Sequence, residues 1–283
     1  MIDAPLEKLQ RLRELRQQVA EREANRPSRW YCDRPGCDGK PHEGWKWKHA
    51  RAPQHPPEGD WLVWLIRSGR GFGKTRSGAE WVNWRVAHGA RRVALVGRSA
   101  GDIREVMIEG ESGILAVAEE GRRPLYEPSK RRLTWPNGAI GTTFSAEEPS
   151  NLRGPEHDTA WCDELSSWDD AHRGDRIDTA WNNLMLGLRI GKDPRCLVTT
   201  TPKPNRLMRE VSARNSTVIS SGSTYDNLDN LAPSFRAQIL AAYEGTRIGQ
   251  QELMGEMLDD VEGALWDMAT IESNRVEFMD EDE

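Results

Sequence analysis

The stretch Trp61-Leu62-Val63-Trp64-Leu65-Ile66-Arg67-Ser68-Gly69-Arg70-Gly71-Phe72-Gly73-Lys74-Thr75 decides how this chain is read. A short apolar run leads into a glycine-rich loop, which opens into a segment of helical character, Arg76 to His88. Strand, glycine loop, Gly-Lys-Thr and helix, in that order, make a phosphate-binding loop credible. Glycines let the backbone curl so that successive N–H groups point at phosphate oxygens, and the helix N-terminus adds partial positive charge. Lys74 is placed to reach the β- and γ-phosphates of ATP, and the Thr75 hydroxyl to bind Mg²⁺. Ser68, Gly69, Arg70, Gly71, Phe72, Gly73, Lys74 and Thr75 are therefore the expected nucleotide-binding set. Ser68 stands where the pattern usually has Gly, and the glycines at 69, 71 and 73 compensate. The alternative, a Gly-rich turn with an incidental lysine, leaves the flanking strand and helix without a purpose.

Composition sets the bounds. With 283 residues, 30% charged and 37% hydrophobic, the chain has material for one large domain or two small ones around a real core. No run of about 18 apolar residues exists, so no membrane partner is expected. The polar N-terminus shows no signal peptide. Four cysteines do not suggest a disulfide framework, which points to a reducing compartment. A net charge of −6 argues against a globally basic nucleic-acid coat, so any DNA contact is a local patch. Twelve tryptophans are many, and the sequence offers no reason for them.

Leu6, Leu9, Leu12, Leu15 and Val19 recur at helical spacing, predicting an amphipathic helix before Pro27 that packs on the fold or on a partner. Cys32, Cys37, His42 and His49 follow in a Pro- and Gly-rich loop. They read either as one structural Zn²⁺ site or as free cysteines and surface histidines. Residues 51–60 form a linker containing Gln54, whose amide offers the donor and acceptor that the edge of adenine requires. Arg91 to Gly97 reads as a buried strand, Gly101 to Ala118 as a helix interrupted at Gly110 and Gly113, and Leu133 to Phe144 as a hairpin around Asn-Gly. Arg122 to Arg132 is basic, and reads as a DNA contact or as a solvated face. Ser216 to Thr224 reads as a strand, Pro233 to Tyr243 and Ile248 to Leu258 as helices of a small cap, and Asp267 to Glu283 as a fraying acidic tail.

The second informative motif is Asp158-Thr159-Ala160-Trp161-Cys162-Asp163-Glu164, in which small and apolar residues run up to a paired acid. At a strand tip neighbouring the phosphate loop, Asp163 would hold Mg²⁺ and Glu164 would polarise the water that attacks the γ-phosphorus. Arg195 to Pro202 is a further buried strand ending in Thr199, Thr200 and Thr201, whose tip lies beside the nucleotide crevice of a doubly wound sheet.

Together these motifs resemble the ATPase domain of a tailed-phage large terminase subunit, the genome-packaging motor. The resemblance covers roughly residues 45–266. It rests on Ser68 to Val82, Asp102 to Gly110, Asn151 to Leu165, Val198 to Pro204, and Tyr243-Glu-Gly-Thr-Arg running to Glu262-Gly-Ala-Leu-Trp266. The implied fold is α/β: a P-loop NTPase of the RecA/ASCE type, a mainly parallel sheet flanked by helices, with a small C-terminal helical lid and an N-terminal helix plus Cys/His loop. The implied division is 1–50 for the N-terminal helix and loop, 51–225 for the ATPase core, 226–266 for the lid and 267–283 for the tail. By resemblance, Gln54 reads adenine, Arg70 senses the γ-phosphate, and Asp163 and Glu164 are the Mg²⁺ acid and the catalytic carboxylate. Thr199 to Thr201, Thr200 among them, form the coupling motif. Arg153 is the arginine offered to a neighbouring subunit's site, with Arg104 competing for that role. The implied partners are double-stranded DNA, a homo-oligomeric ring (a pentamer) on the portal, and a small terminase subunit, all in the host cytoplasm.

A full-length large terminase continues into an RNase H-type nuclease domain, whereas this sequence runs 17 residues past Trp266. The nuclease is therefore expected either elsewhere in a longer protein or on a separate polypeptide, and this chain to hydrolyse ATP without cutting DNA. Two other readings stand beside it. One is a helicase-like ATPase stimulated by nucleic acid, and the other is a nucleotide-binding docking module for the portal or the small terminase.

Overall fold

The computed structural model describes residues 30–32, 40, 49–168, 178–243, 245–258 and 274. The expected N-terminal helix, Cys37, His42 and, Asn274 apart, the acidic tail lie outside them.

An eight-stranded sheet organises the described residues, in the order β3-β4-β5-β2-β6-β7-β1-β8. Its strands are β1 (Val63–Ser68), β2 (Arg92–Gly97), β3 (Leu125–Glu127), β4 (Arg132–Thr134), β5 (Ile140–Ser145), β6 (Thr159–Asp163), β7 (Arg195–Thr200) and β8 (Thr217–Gly222). The strands from β5 to β8 in that order are parallel. β3 and β4 add an antiparallel edge, with β4 and β5 forming the expected Asn-Gly hairpin. The main helices are α1 (Lys74–Ala87), α2 (Ala180–Gly187), α3 (Arg206–Ser212), α4 (Pro233–Tyr243) and α5 (Arg247–Glu252).

Apolar runs such as Val63-Trp64-Leu65-Ile66 belong to strands buried on both faces, as parallel sheets require. Period-two alternation sends Val63 and Leu65 to one core, with Trp181 and Leu184, and Trp64 and Ile66 to the other, with Trp81 and Val82. The tryptophans find their use here. Trp61, Trp64, Trp81, Trp135, Trp161, Trp168 and Trp181 fill the space between sheet and helices. Several also ground their indole N–H, Trp64 on the Ser220 hydroxyl at 2.9 Å and Trp135 on Asn83 Oδ1 at 3.0 Å.

The helices depart from expectation at their ends. α1 begins at Lys74, two residues earlier than expected, because Gly73 takes φ +101 and turns the chain straight into the helix. α5 ends at Glu252, well short of Leu258, because Gly255 at φ +70 bends the chain back onto β1's exit. The interrupted helix after β2 is a turn at Ala100–Asp102, a π-helical run Ile103–Ile108 and a short return at Ile114–Val117. α2 and α3 were not foreseen, yet each starts on a side-chain cap. Thr179 accepts the Asn182 N–H at 3.2 Å, and Asn205 accepts the Met208 N–H at 3.0 Å.

Gly78, in the middle of α1, is where helix and sheet come closest. A Cβ there would lie 2.1 Å from Trp161 Cε2. In an exposed helix Gly→Ala stabilises by up to about 1 kcal/mol. Here the sign is expected to reverse, with Gly78→Ala lowering stability by about 1–3 kcal/mol through overpacking. Urea unfolding checks this, and a gain in midpoint would contradict the packing described.

Candidate active site

The loop leaves the C-terminal end of β1, and the acids and threonines leave the same end of β6 and β7. Thr199 pairs in register with both Ile66 and Asp163. The acid strand was expected beside the phosphate-loop strand. Instead β7 stands between them, so β1 and β6 are two strand spacings, roughly 10 Å, apart. That gap leaves room for a phosphate group between lysine and carboxylate.

A cleft of 980 Å³ opens over this end, walled by Arg70 to Arg76, Glu164 and Thr201, and on the far side by Asn227, Leu231 and Phe235. Lys74 is buried at its floor. Its Nζ donates to the Thr201 hydroxyl at 2.9 Å and to the carbonyls of Ser68 and Gly69 at 3.2 Å, and lies 3.9 Å from Glu164 Oε1. Burial pushes the Lys74 ammonium down from its ordinary value, and the charges of Glu164 and Asp163 oppose that shift. Asp163 is buried behind it. Its carboxyl is pushed up to about 7, first by desolvation and then by the charge of Glu164. The Thr199 hydroxyl donates to Asp163 Oδ1 at 2.6 Å, and the Trp161 indole donates to Thr199 Oγ1 at 2.8 Å. The Trp168 indole holds the Asp163 carbonyl at 2.9 Å.

Glu164 sits at φ +49, a left-handed conformation that costs a non-glycine residue energy and is often found at functional sites. Its N–H donates to the Thr199 carbonyl at 2.6 Å, and its Oε2 accepts the Thr201 N–H at 3.2 Å. The turn aims a half-exposed carboxylate into the cleft, beside Lys74.

If the loop's N–H groups face phosphate, its carbonyls must turn away and find donors. Every carbonyl from 68 to 73 has one. Lys74 serves Ser68 and Gly69, and the Thr224 hydroxyl serves Arg70 at 2.6 Å. Asn227 Nδ2 serves Gly71 at 2.5 Å, Arg51 serves Phe72, and the Ser77 hydroxyl serves Gly73 at 3.0 Å. Gly69 is required by close approach, since a Cβ there would lie 2.1 Å from the Leu253 carbonyl oxygen.

Several expected residues are placed differently from what the sequence suggested. The Phe72 ring is fully buried against Gly222, so only its backbone faces the cleft. Ser68 is also fully buried. Thr200 is turned to the opposite face by strand alternation and bonds Ser166 Oγ at 2.8 Å, so Thr201 is the hydroxyl that meets Lys74. Gln54 lines the cleft but is 1% exposed, with Oε1 on the Arg51 N–H and Nε2 on the Ser77 hydroxyl. Arg70 reaches away from the phosphate position to Glu252, Nε to Oε2 2.5 Å. Arg153 is absent from the cleft wall. It stands exposed in a separate 280 Å³ depression with Leu186 and Arg189, 3.8 Å from Asp178. Arg104 pairs with Glu105 at 2.9 Å. In the basic stretch, Arg122, Lys130 and Arg131 pair with Glu119, Glu127 and Glu148.

Of the expected Mg²⁺ donors, Thr75 lines the cleft, while Asp163 is buried next to the cleft-lining Glu164 and is not itself part of the lining. A carboxyl whose charge is penalised by burial and by Glu164 is one that a dication would relieve. For zinc, Cys32 and His49 are both buried, but Cys37 and His42 lie outside the described residues. Among the described residues no group of three or more His, Cys, Asp or Glu side chains could hold a metal, and no helix is long and apolar enough to cross a membrane.

The model of the family described as "Terminase large subunit, T4likevirus-type, N-terminal" matches residues 65–273. Among solved structures, the large terminase ATPase domain of Thermus phage P74-26 is similar over 77% of this chain and 99% of that one, with a TM-score of 0.56 and 14% identity. The large terminase of another thermophilic bacteriophage, in complex with ADP, is similar over 70% of this chain and 48% of its own, with a TM-score of 0.53 and 14% identity. That of bacteriophage HK97 is similar over 69% and 47%, with a TM-score of 0.50 and 15% identity. These identities show a shared fold, and the chain spans about half the length of the latter two proteins. Comparison with curated protein sequences gives no match.

The raised Asp163 has a thermodynamic consequence. Between the ordinary aspartate value and about 7 the folded chain keeps a proton that the unfolded chain releases, so Asp163's contribution to stability is largest at low pH and is lost as pH rises through about 7. Unfolding free energies of the wild type from denaturant titration, measured relative to Asp163→Asn from pH 5 to 8, are expected to fall as pH rises, by at least about 1 kcal/mol over the range. Parallel curves would contradict the buried, proton-holding Asp163.

Proposed function

We propose, from the premise that this chain belongs to the terminase large subunit family, N-terminal T4-like-virus type, that it hydrolyses ATP to drive double-stranded DNA into a phage procapsid. The observation that carries the reading is Lys74 and Glu164 converging on one cleft, 3.9 Å apart, with Asp163 buried behind them. Lys74 and the N–H groups of Gly71 and Gly73 bind and orient the β- and γ-phosphates, those of Gly69, Arg70 and Phe72 being held by the carbonyls of Gly222, Glu252 and Gly69. Asp163 and Thr75 would hold Mg²⁺, which would neutralise negative charge on the phosphates. Glu164 takes a proton from water as the water oxygen bonds to the γ-phosphorus and the bond from that phosphorus to the ADP oxygen breaks. Thr201, bonded to Lys74 and carrying the N–H that holds Glu164, belongs with Thr199 to the element that senses loss of the γ-phosphate.

Arg153 serves a neighbouring subunit's cleft in a ring. Its exposure, and its distance in the fold from its own cleft wall, support this role. The reading includes a pentameric ring on the portal, a small terminase subunit, a nuclease supplied elsewhere, and work in the host cytoplasm. It divides the chain at 50, 225 and 266 into N-terminal loop, ATPase core, lid and tail. Gln54's amide keeps one N–H and a lone pair, enough to reach adenine once Ser77 and Arg51 are served.

Glu164→Gln is expected to bind ATP and to lose turnover by about 100-fold or more. Steady-state phosphate release beside a binding titration checks this, and undiminished turnover would remove Glu164 from the chemistry. Mixing wild type with Arg153→Ala at several ratios is expected to give less activity than the weighted average. Strictly additive activity would mean that each subunit works alone.

A further inference from the structure

The outward carbonyls of the phosphate loop fall into two groups. Those of Ser68, Gly69 and Gly73 are served from within the loop and α1. Those of Arg70, Gly71 and Phe72 are served from residues far away in sequence, Thr224, Asn227 and Arg51, the last two at Gly71 and Phe72. These two are also joined to each other, with Arg51 Nη1 donating to Asn227 Oδ1 at 2.8 Å. Asn230 Nδ2 donates to the same oxygen at 2.7 Å. The Arg51 guanidinium lies over the Phe72 ring, 4.7 Å from its centroid, and Gly222 packs closely on the same ring, where a Cβ would come within 2.1 Å of Phe72 Cε2. The Arg51 main chain is fixed in turn, its N–H on Gln54 Oε1 and Gln54 Nε2 on Ser77.

We propose that Arg51 and Asn227 are positioning residues that act as one clamp. By holding the Phe72 carbonyl outward Arg51 keeps the Gly73 N–H of the same peptide aimed at phosphate, while Asn227 holds the Gly71 carbonyl, whose peptide N–H closes the turn onto the Gly69 carbonyl, fixes Arg51 in place and binds the loop to the segment Thr224–Asn230. The inference rests on the nucleotide-binding reading above. A phosphate cradle formed by backbone N–H groups has affinity only while its peptide planes stay turned. Glycines at 69, 71 and 73 leave those planes free to flip, because glycine populates both signs of φ. The fork of Arg51 and the amide of Asn227 remove that freedom at the apex. The chemistry is specific. Asn227 must donate to Gly71 and accept from Arg51 at once, which an amide does and a carboxylate does not. Arg51 must serve Asn227 and Phe72 at two separate nitrogens, which one ammonium does less well.

The test uses the full chain, titrated with a fluorescent ADP analogue and Mg²⁺, with ATP turnover and thermal midpoints measured alongside. Asn227→Ala is expected to weaken ADP binding and raise the KM for ATP about tenfold, with kcat changed by less than about threefold, since the clamp supports ground and transition states alike. Asn227→Asp is expected to bind at least as poorly as Asn227→Ala, although it keeps a partner for Arg51. Arg51→Lys is expected to fall between wild type and Arg51→Ala. The double variant Arg51→Ala/Asn227→Ala is expected to be little worse than the weaker single one, because Asn227 fixes Arg51 in place. Wild-type affinity in Asn227→Ala, or in Asn227→Asp at an unchanged thermal midpoint, would overturn the clamp, as would losses that simply add. Asn227 is partly exposed, so its variants carry the test even if Arg51→Ala does not fold. Absence of binding by the wild type would instead remove the nucleotide reading, and the clamp with it.

Discussion

A loop that binds phosphate through its backbone has to solve a problem of geometry. Each peptide that turns its N–H inward turns its C=O outward, and each outward carbonyl needs a donor. The donors here are Lys74, Thr224, Asn227, Arg51 and Ser77, drawn from the loop's own lysine, the linker before β1, α1 and the segment after β8. Much of the architecture follows from bringing them together. β8 lies beside β1 and delivers Thr224 and Asn227 to the loop. The chain after α5 then returns to the same place, where the Glu252 carbonyl accepts the Arg70 N–H at 2.7 Å and the Leu253 carbonyl accepts the Thr224 N–H at 2.7 Å. The chain at Glu252 and Leu253 and the glycine loop are therefore one hydrogen-bonded unit, and displacement of one must be felt by the other.

The acid side of the cleft is held by the core in a different way. Trp161 and Trp168 pack on opposite faces of the sheet, and each gives its indole N–H to the acid strand or its neighbour. Asp163 thus receives its orientation from below, through Thr199, while Glu164 is aimed by a strained turn whose N–H and carboxylate are both tied to β7. β7 touches Asp163 through Thr199, and Thr201, the residue just past its end, touches Lys74. In the function proposed above, this strand and its exit, with their three hydroxyls, link phosphate binding to water activation. Thr200, the middle one, anchors the strand to Ser166.

The parts legible in the sequence were those in which one contiguous stretch carries its own chemistry. The glycine loop, the apolar run into Asp163-Glu164 and the Asn-Gly hairpin all declare themselves through local spacing. Two kinds of feature did not. Strand alternation decides which of Thr199, Thr200 and Thr201 faces the cleft, and nothing in three consecutive threonines reveals the phase. Contacts between segments far apart in sequence decide the others. Asn227 meets Gly71 across 156 residues and Arg70 meets Glu252 across 182, and neither separation leaves a periodic trace. The early end of α5 has the same origin, since Gly255 turns to let the chain pack on Ser68, where a Cβ would come within 2.7 Å of the Ser68 Cα. Gln54 was legible as a residue but not in its bonding, because its partner Ser77 lies inside α1.

All of this depends on the loop being a phosphate cradle with Lys74 at its floor. Calorimetric titration of ADP with Mg²⁺ into wild type and Lys74→Ala tests that most directly. A saturable exothermic isotherm for the wild type, weakened by about 100-fold or more in the variant, is the predicted result. Equal binding by the two proteins would contradict it, and would mean that the buried lysine holds the loop together without meeting phosphate.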